Sequence, residues 1–314
     1  MRRSTQFALM AIHVACAAGT YVLSKLAADG FRSPEALTLA RALGTTVVLL
    51  ALTGTLIPRP NFDGPTWAKL LGLGILHVPI NQYLFLRGLK ASVPSHGALM
   101  YALTPLGVLL FTSWLERAMP RRAKLLGVLV ALAGAVVVLE PWEGGAEAAK
   151  VRGGDLLLLA AVAAWVFCTV ATRALSRRHD PRTVTAWTLI LGTLATMPIG
   201  GLALKQTDFA QVPASAWLGL AYMVVITSVT MNLLWSQLLK HLHPVQVAVC
   251  MNAQPPATAL LQSLLAIGGP AWLGATIAPP LAWPFWVGMA LVLLGVIVVQ
   301  RSGRIAAAPP AAPR

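Results

Sequence analysis

Long apolar stretches alternate with short polar breaks along the whole chain, and the breaks carry proline or glycine. Residues 125–139, 156–170 and 287–299 contain no charged side chain. Runs approaching 20 residues match the roughly 30 Å hydrocarbon core of a bilayer crossed by an α-helix. A membrane barrel would instead alternate apolar and polar residues over about ten positions, a pattern this chain lacks. The spacing predicts membrane-spanning helices near residues 7–27, 35–57, 67–89, 94–115, 124–140, 155–175, 183–204, 215–239, 244–267 and 284–300. Pro34, Pro58, Pro94, Pro141, Pro181, Pro213 and Pro244 punctuate the breaks, where a residue without an N–H starts or stops a helix at least cost. Residues 306–313 are an alanine-proline tail expected to be disordered.

Composition agrees with the pattern. Only 11% of residues are charged and 57% are hydrophobic, against about 25% charged in a soluble domain. The net charge of +14 could suggest nucleic acid, but its distribution assigns another role. With the N-terminus in the cytoplasm, 16 of the 24 Lys and Arg residues fall on that side, 7 on the other, and Arg41 lies inside the second span. This bias satisfies the positive-inside rule and places both termini in the cytoplasm, as an even number of spans requires. The basic residues then act as topology determinants facing anionic lipid, and nucleic-acid binding is excluded as the reading of the charge. Cys16, Cys168 and Cys250 all fall within predicted spans with no disulfide or zinc spacing, which assigns them to the core. Arg2 and Arg3 before an apolar run imitate a signal peptide. His13 interrupts that run and apolar residues continue beyond Cys16, so the segment reads as the first span.

An internal repeat organises the ten segments. Lys90, Pro94 and Pro105 recur as Lys240, Pro244 and Pro255, each displaced by 150 residues. Ser33-Pro34 recurs as Asp180-Pro181, displaced by 147, and Gly127 and Gly134 recur as Gly288 and Gly295, displaced by 161. Ordered matches of this kind mark a duplication. Residues 1–141 form a first copy and 155–303 a second, joined by an extracytoplasmic linker over 142–154. Five spans per copy is odd, so the copies insert in opposite orientation, an arrangement associated with secondary transporters that expose a midplane site to each side in turn. The predicted fold class is an all-α membrane protein, ten transmembrane helices in two inverted five-helix repeats around a central cavity.

Pro34 with Arg41 seven residues on, the stretch 98–105, Glu116 eleven residues after Pro105, and the glycine-spaced fifth span form a further pattern. In these features the chain resembles the EamA-like branch of the drug/metabolite transporter superfamily, over residues 7–300. The second copy departs from the pattern, with Thr188 at the position equivalent to Arg41 and Ala266 at that of Glu116. The resemblance implies a ten-helix fold with a cavity between the halves, used for export of amino acids or other metabolites.

Polar residues at mid-span are costly unless they meet a partner, water or a substrate. The repeat pairs His77 with Thr227 and Gln82 with Asn232, then Tyr101 with Met251, Ala102 with Asn252 and Thr104 with Gln254. The last three pairs lie just before Pro105 and Pro255, where a loosened helix can turn carbonyls toward a cavity. Thr20 and Trp165 sit at similar depth. The candidate substrate-binding residues are therefore Thr20, His77, Gln82, Tyr101, Trp165, Asn232, Asn252 and Gln254. The competing role for the Asn and Gln side chains is interhelical hydrogen bonding, at about 0.6 kcal/mol per bond. His13, His77 and His96 titrate in the middle range and serve either structure or proton coupling. Arg41 is placed where its guanidinium can snorkel to the outer interface, with a counter-charge for an anionic substrate or a pair with Glu35 as alternatives.

All ten acidic residues fall in predicted loops or at span ends. A midplane carboxylate is the usual partner of a proton, sodium ion or cationic drug, so the pattern disfavours multicationic drugs and favours neutral, zwitterionic or weakly anionic solutes. No nucleotide-binding glycine loop is present, and no cofactor or metal is called for. The leading reading is a secondary transporter in the inner membrane, moving a small metabolite outward by alternating access, with a proton or a counter-substrate as coupling partner. Facilitated uptake shares the same fold. A lipid-modifying membrane enzyme is the alternative from another class, and would need a convergent acid-base or metal group.

Overall fold

The computed structural model describes residues 3–52, 62–117, 120, 122–140, 142–231, 234, 252–268 and 282–302. Asn232 and the predicted tail lie outside the described residues. Among these residues every regular element is helical. The elements are α1 (Arg3–Phe31), α2 (Pro34–Leu52), α3 (Gly64–Ile75), a π-helical segment π1 (Leu76–Gln82), α4 (Tyr83–Ala91), α5 (Pro94–Ala102), α6 (Thr104–Leu115), α7 (Arg122–Leu139), α8 (Ala146–Ser176), α9 (Pro181–Lys205), α10 (Ala214–Tyr222), a second π-helical segment π2 (Met223–Thr230), α11 (Gln254–Gly268) and α12 (Trp283–Ser302). Six of these stretches are long and apolar enough to cross a membrane, the longest being Ala146–Ser176.

Local chemistry accounts for the boundaries. Proline occupies the first turn of α2, α5, α6 and α9, where its missing N–H is one of the orphan donors anyway. The Asp63 and Asp180 carboxylates accept from the N–H of Thr66 and Thr183, three residues on, capping α3 and α9. Arg32, Arg117 and Glu140, each just past a helix, have φ of 59°, 50° and 43°. Side chains rarely adopt this left-handed backbone, and it closes α1, α6 and α7 with residues other than glycine. The sixth predicted span starts at Ala146 rather than near residue 155, because the Ala-Glu-Ala-Ala-Lys stretch is a strong helix former.

The two π-helical segments have separate causes. In π1, Pro79 lies inside the helix, where it breaks the i→i−4 ladder and the extra residue of a wider turn absorbs the ring. In π2 there is no proline; the Ser228 and Thr230 hydroxyls donate to the carbonyls of Met223 and Val225, five residues back, at 3.0 and 3.1 Å.

Glycine sets the closest helix contacts. A Cβ at Gly134 would lie 2.6 Å from the Gly288 carbonyl oxygen, and one at Gly127 would lie 2.8 Å from that of Gly295. These pairings run α7 and α12 antiparallel with backbones touching, the most extensive helix contact among the described residues. Gly88 meets Gly154 in the same manner between α4 and α8, and Gly74 meets Gly192 between α3 and α9. The core of Leu86, Leu89, Leu99, Met100 and Leu158 fills the space between α4, α5 and α8. The outer faces are apolar too: Leu126, Leu129, Leu132 and Val136 of α7 and Leu194, Ile199 and Leu202 of α9 are exposed, as lipid-facing helices require.

Gly134→Leu is expected to lower the melting temperature and the yield of monodisperse protein in detergent, since overpacking costs about 1–3 kcal/mol. Gly153→Ala, where an added Cβ meets nothing within 4 Å, is expected to leave both unchanged.

Candidate functional site

Polar and aromatic side chains from five helices and π1 converge at one place, with Trp165 at its exposed edge. His77 and Asn81 come from π1, Arg41 from α2, Tyr21 from α1, Phe85 from α4, Tyr101 from α5, and Trp165 from α8. The His77 and Trp165 rings are 5.4 Å apart at 37°. Tyr21, Phe85 and Tyr101 form a closed triangle of rings with centroids 5.6 to 6.3 Å apart. Asn81 joins the two sets: its amide donates to the Ala161 carbonyl at 2.7 Å, one turn before Trp165, and to the Tyr101 hydroxyl at 3.2 Å. The π-helical turn makes this convergence, since an added residue rotates the following side chains around the helix axis.

Pro105 leaves the Tyr101 carbonyl without its helical donor, and the Thr104 hydroxyl supplies one at 2.7 Å. α5 stops at Ala102 and α6 restarts at Thr104, so the proline breaks the fourth predicted span immediately after Tyr101.

The remaining candidates divide. The Thr20 hydroxyl pairs with that of Thr227 at 2.9 Å and donates to the Cys16 carbonyl at 3.0 Å, joining α1 to π2. Gln82 is buried with its Oε1 lacking a partner. Asn252 donates to Gln300 Oε1 at 3.3 Å, near the C-terminal end of α12. The Gln254 carbonyl accepts from Thr258 at 2.8 Å in the first turn of α11. His77, Tyr101 and Trp165 thus share one cluster, while Thr20 and Asn252 have partners elsewhere.

Three interior features were missed or read differently from the sequence. Asn81 was passed over because its repeat counterpart is the apolar Met231; a polar residue between His77 and Gln82 was the available signal. Arg41 is half-buried, with its Nε buried and without a hydrogen-bond partner, and it lies within electrostatic reach of His77 and Tyr101. The Glu35 carboxylate accepts from Ser33 at 2.9 Å and has Arg87 as its charged neighbour. Asp155 was expected at a span end, yet it is 1% exposed. Its carboxylate accepts from the Ser92 hydroxyl through one oxygen and meets His96 Nδ1 at 2.8 Å through the other. The carboxylate sits between Ser92 and His96, so the imidazole does not activate the hydroxyl as a nucleophilic triad requires; the pair instead ties the α4–α5 turn to α8.

Two cavities open at the end of the bundle where α1 meets α2. One, of about 700 Å³, is lined by Phe31, Arg32, Glu35, Ile199, Gln206 and Asp208 among others. The other, of about 550 Å³, is lined by Asp29, Glu35, Arg87, Lys90 and Lys150 among others. Arg41 is six residues farther along α2 than Glu35, about 9 Å by helix rise.

The model of the EamA-like transporter family matches this chain twice, over residues 5–140 and 152–301. The chain therefore belongs to the EamA-like transporter family and is a multi-pass membrane protein. It is 25% identical over 289 residues to the uncharacterized transporter YyaM of Bacillus subtilis (strain 168), covering 91% of this chain and 90% of that one. An uncharacterized transporter of Archaeoglobus fulgidus is 25% identical over 236 residues, 74% of this chain and 77% of its own. A crystal structure with 20% sequence identity superposes with a TM-score of 0.57, covering 96% of this chain and 99% of that one, which shows a shared fold.

On a background lacking Cys16, Cys168 and Cys250, Trp165→Cys is expected to react with a membrane-impermeant methanethiosulfonate reagent, because Trp165 is 36% exposed. Leu158→Cys, at 0% exposure, is expected to stay unlabelled. Labelling of Trp165→Cys only by a lipophilic maleimide would assign that surface to lipid.

Proposed function

We propose that this chain is a secondary transporter of a small metabolite, with ten membrane-spanning helices arranged as two inverted five-helix repeats around a central cavity. It works by alternating access in the inner membrane, exporting a neutral, zwitterionic or weakly anionic solute, with both termini in the cytoplasm and a proton or counter-substrate as coupling partner. The cluster of His77, Tyr101 and Trp165 is the centre of the substrate site, with Gln82 next to it in sequence at the end of π1.

The observation that carries this reading is the way repeat-equivalent residues meet. The hydroxyls of Thr46 and Thr193, which are 147 residues apart, lie 3.2 Å from each other between α2 and α9. Gly127 packs on Gly295 and Gly134 on Gly288, so each glycine touches the counterpart of the other, as a two-fold relation between antiparallel helices demands. The two π-helical segments, starting at Leu76 and Met223, stand at the same spacing, and so do the starts of the two family matches at residues 5 and 152. Two halves so similar can exchange conformations at little cost in free energy, which is what alternating access needs.

The test is counterflow in proteoliposomes loaded with a labelled mixture of amino acids and small metabolites. Saturable exchange is expected for wild type. His77→Ala and Trp165→Ala are expected to exchange about tenfold or more slowly, equivalent to losing about 1.4 kcal/mol of binding, with folded protein recovered at wild-type levels. Wild-type exchange rates in both variants would remove the ring cluster from the site.

A further inference from the structure

We propose that Arg41 is the anchoring cation for a solute bearing a carboxylate and net negative charge, held among the rings of His77, Trp165 and Tyr101. The proposal rests on the transporter reading and narrows its substrate class.

Charge balance is the argument. A guanidinium removed from water is unfavourable unless an anion or a full set of acceptors meets it. The Arg41 side chain is half-buried, and among the described residues it has no such partner: its Nε is buried and unbonded. The nearby carboxylates are engaged elsewhere. Glu35 accepts from Ser33 and faces Arg87, Asp29 pairs with Lys25 at 3.5 Å, and Asp155 is held by Ser92 and His96. The groups whose electrostatics Arg41 does influence are His77 and Tyr101, neither of which is an anion partner, and the Tyr101 oxygen already accepts from Asn81.

Among the described residues the guanidinium is left to water or to a bound anion, and an anion makes the stronger, charge-assisted hydrogen bonds. The planar fork of a guanidinium matches a carboxylate in shape and in single charge, and the surrounding rings suit a flat or apolar body attached to it. No described carboxylate stands in the ring cluster to receive an ammonium group, which favours an anion over a zwitterion. The second repeat has Thr188 at the equivalent position, with its hydroxyl buried and unbonded, so the site holds one cation rather than two and is suited to a monoanion.

The test uses the full-length protein in detergent with benzoate as probe and benzamide as its uncharged counterpart. Benzoate is expected to raise the melting temperature saturably, and benzamide at the same concentrations to leave it unchanged. Arg41→Gln is expected to melt at or above the wild-type temperature without ligand, because it removes an unbalanced charge, and to bind benzoate about tenfold or more weakly. Arg41→Lys is expected to retain part of the binding. Equal protection by benzoate and benzamide, or wild-type benzoate affinity in Arg41→Gln, would overturn the assignment. If Arg41→Gln does not fold, the wild-type comparison of the two probes and the affinity of Arg41→Lys decide the matter on their own.

Counterflow separates the two readings. Exchange of labelled alanine by wild type and Arg41→Gln alike, with benzoate inert, would overturn the anion anchor and leave the transporter standing. Benzoate binding that depends on Arg41, with no solute exchanged by wild type, would support the anchor and overturn transport.

Discussion

A bilayer offers no water to a stray N–H or carbonyl, and that single condition organises this molecule. Backbone polar groups in such surroundings must find partners inside the protein, so every regular element among the described residues is helical. Outward-facing positions on α7 and α9 carry leucine, isoleucine and valine, and polar side chains turn inward. Where the ladder is interrupted, a neighbour makes good the loss: Thr104 donates to the carbonyl that Pro105 strands, and Gln262 accepts from the N–H of Ser95 in the first turn of α5 at 3.0 Å. Interruptions so compensated can be placed where a site needs them.

Without a hydrophobic drive between helices in lipid, association depends on close packing and on interhelical hydrogen bonds. Glycine supplies the first, at Gly127, Gly134, Gly288 and Gly295, where added side chains would collide with facing backbone. Threonine supplies the second, through Thr20 with Thr227 and Thr46 with Thr193. These pairs join elements of the first sequence copy to elements of the second. The packing that holds the described bundle together therefore runs between the two sequence copies.

Much of this was legible from residue spacing, since hydrophobic length and proline position depend on local geometry alone. Every predicted span contains helix in the described residues, and the seven-residue glycine spacing correctly marked a close helix contact. His77, Tyr101 and Trp165 were legible as well, because mid-span polar and aromatic residues are conspicuous against leucine and alanine. Asn81 was not, because pairing polar residues between repeats discards any whose counterpart is apolar. The burial of Asp155 was not legible for a different reason: sequence measures distance from a span end, while burial depends on which neighbouring helix covers that end.

The sequence by itself determined that the chain is helical and membrane-embedded and that its two halves match one family pattern, because each follows from composition and period along one dimension. Only the tertiary structure decided which polar residues share a space. The π-helical turn around Pro79 sets the rotation of His77 and Asn81 toward α5 and α8, and no spacing rule announces that rotation. The isolation of Arg41 is likewise a property of everything packed around it, since a charge is unbalanced only with respect to neighbours brought close by folding.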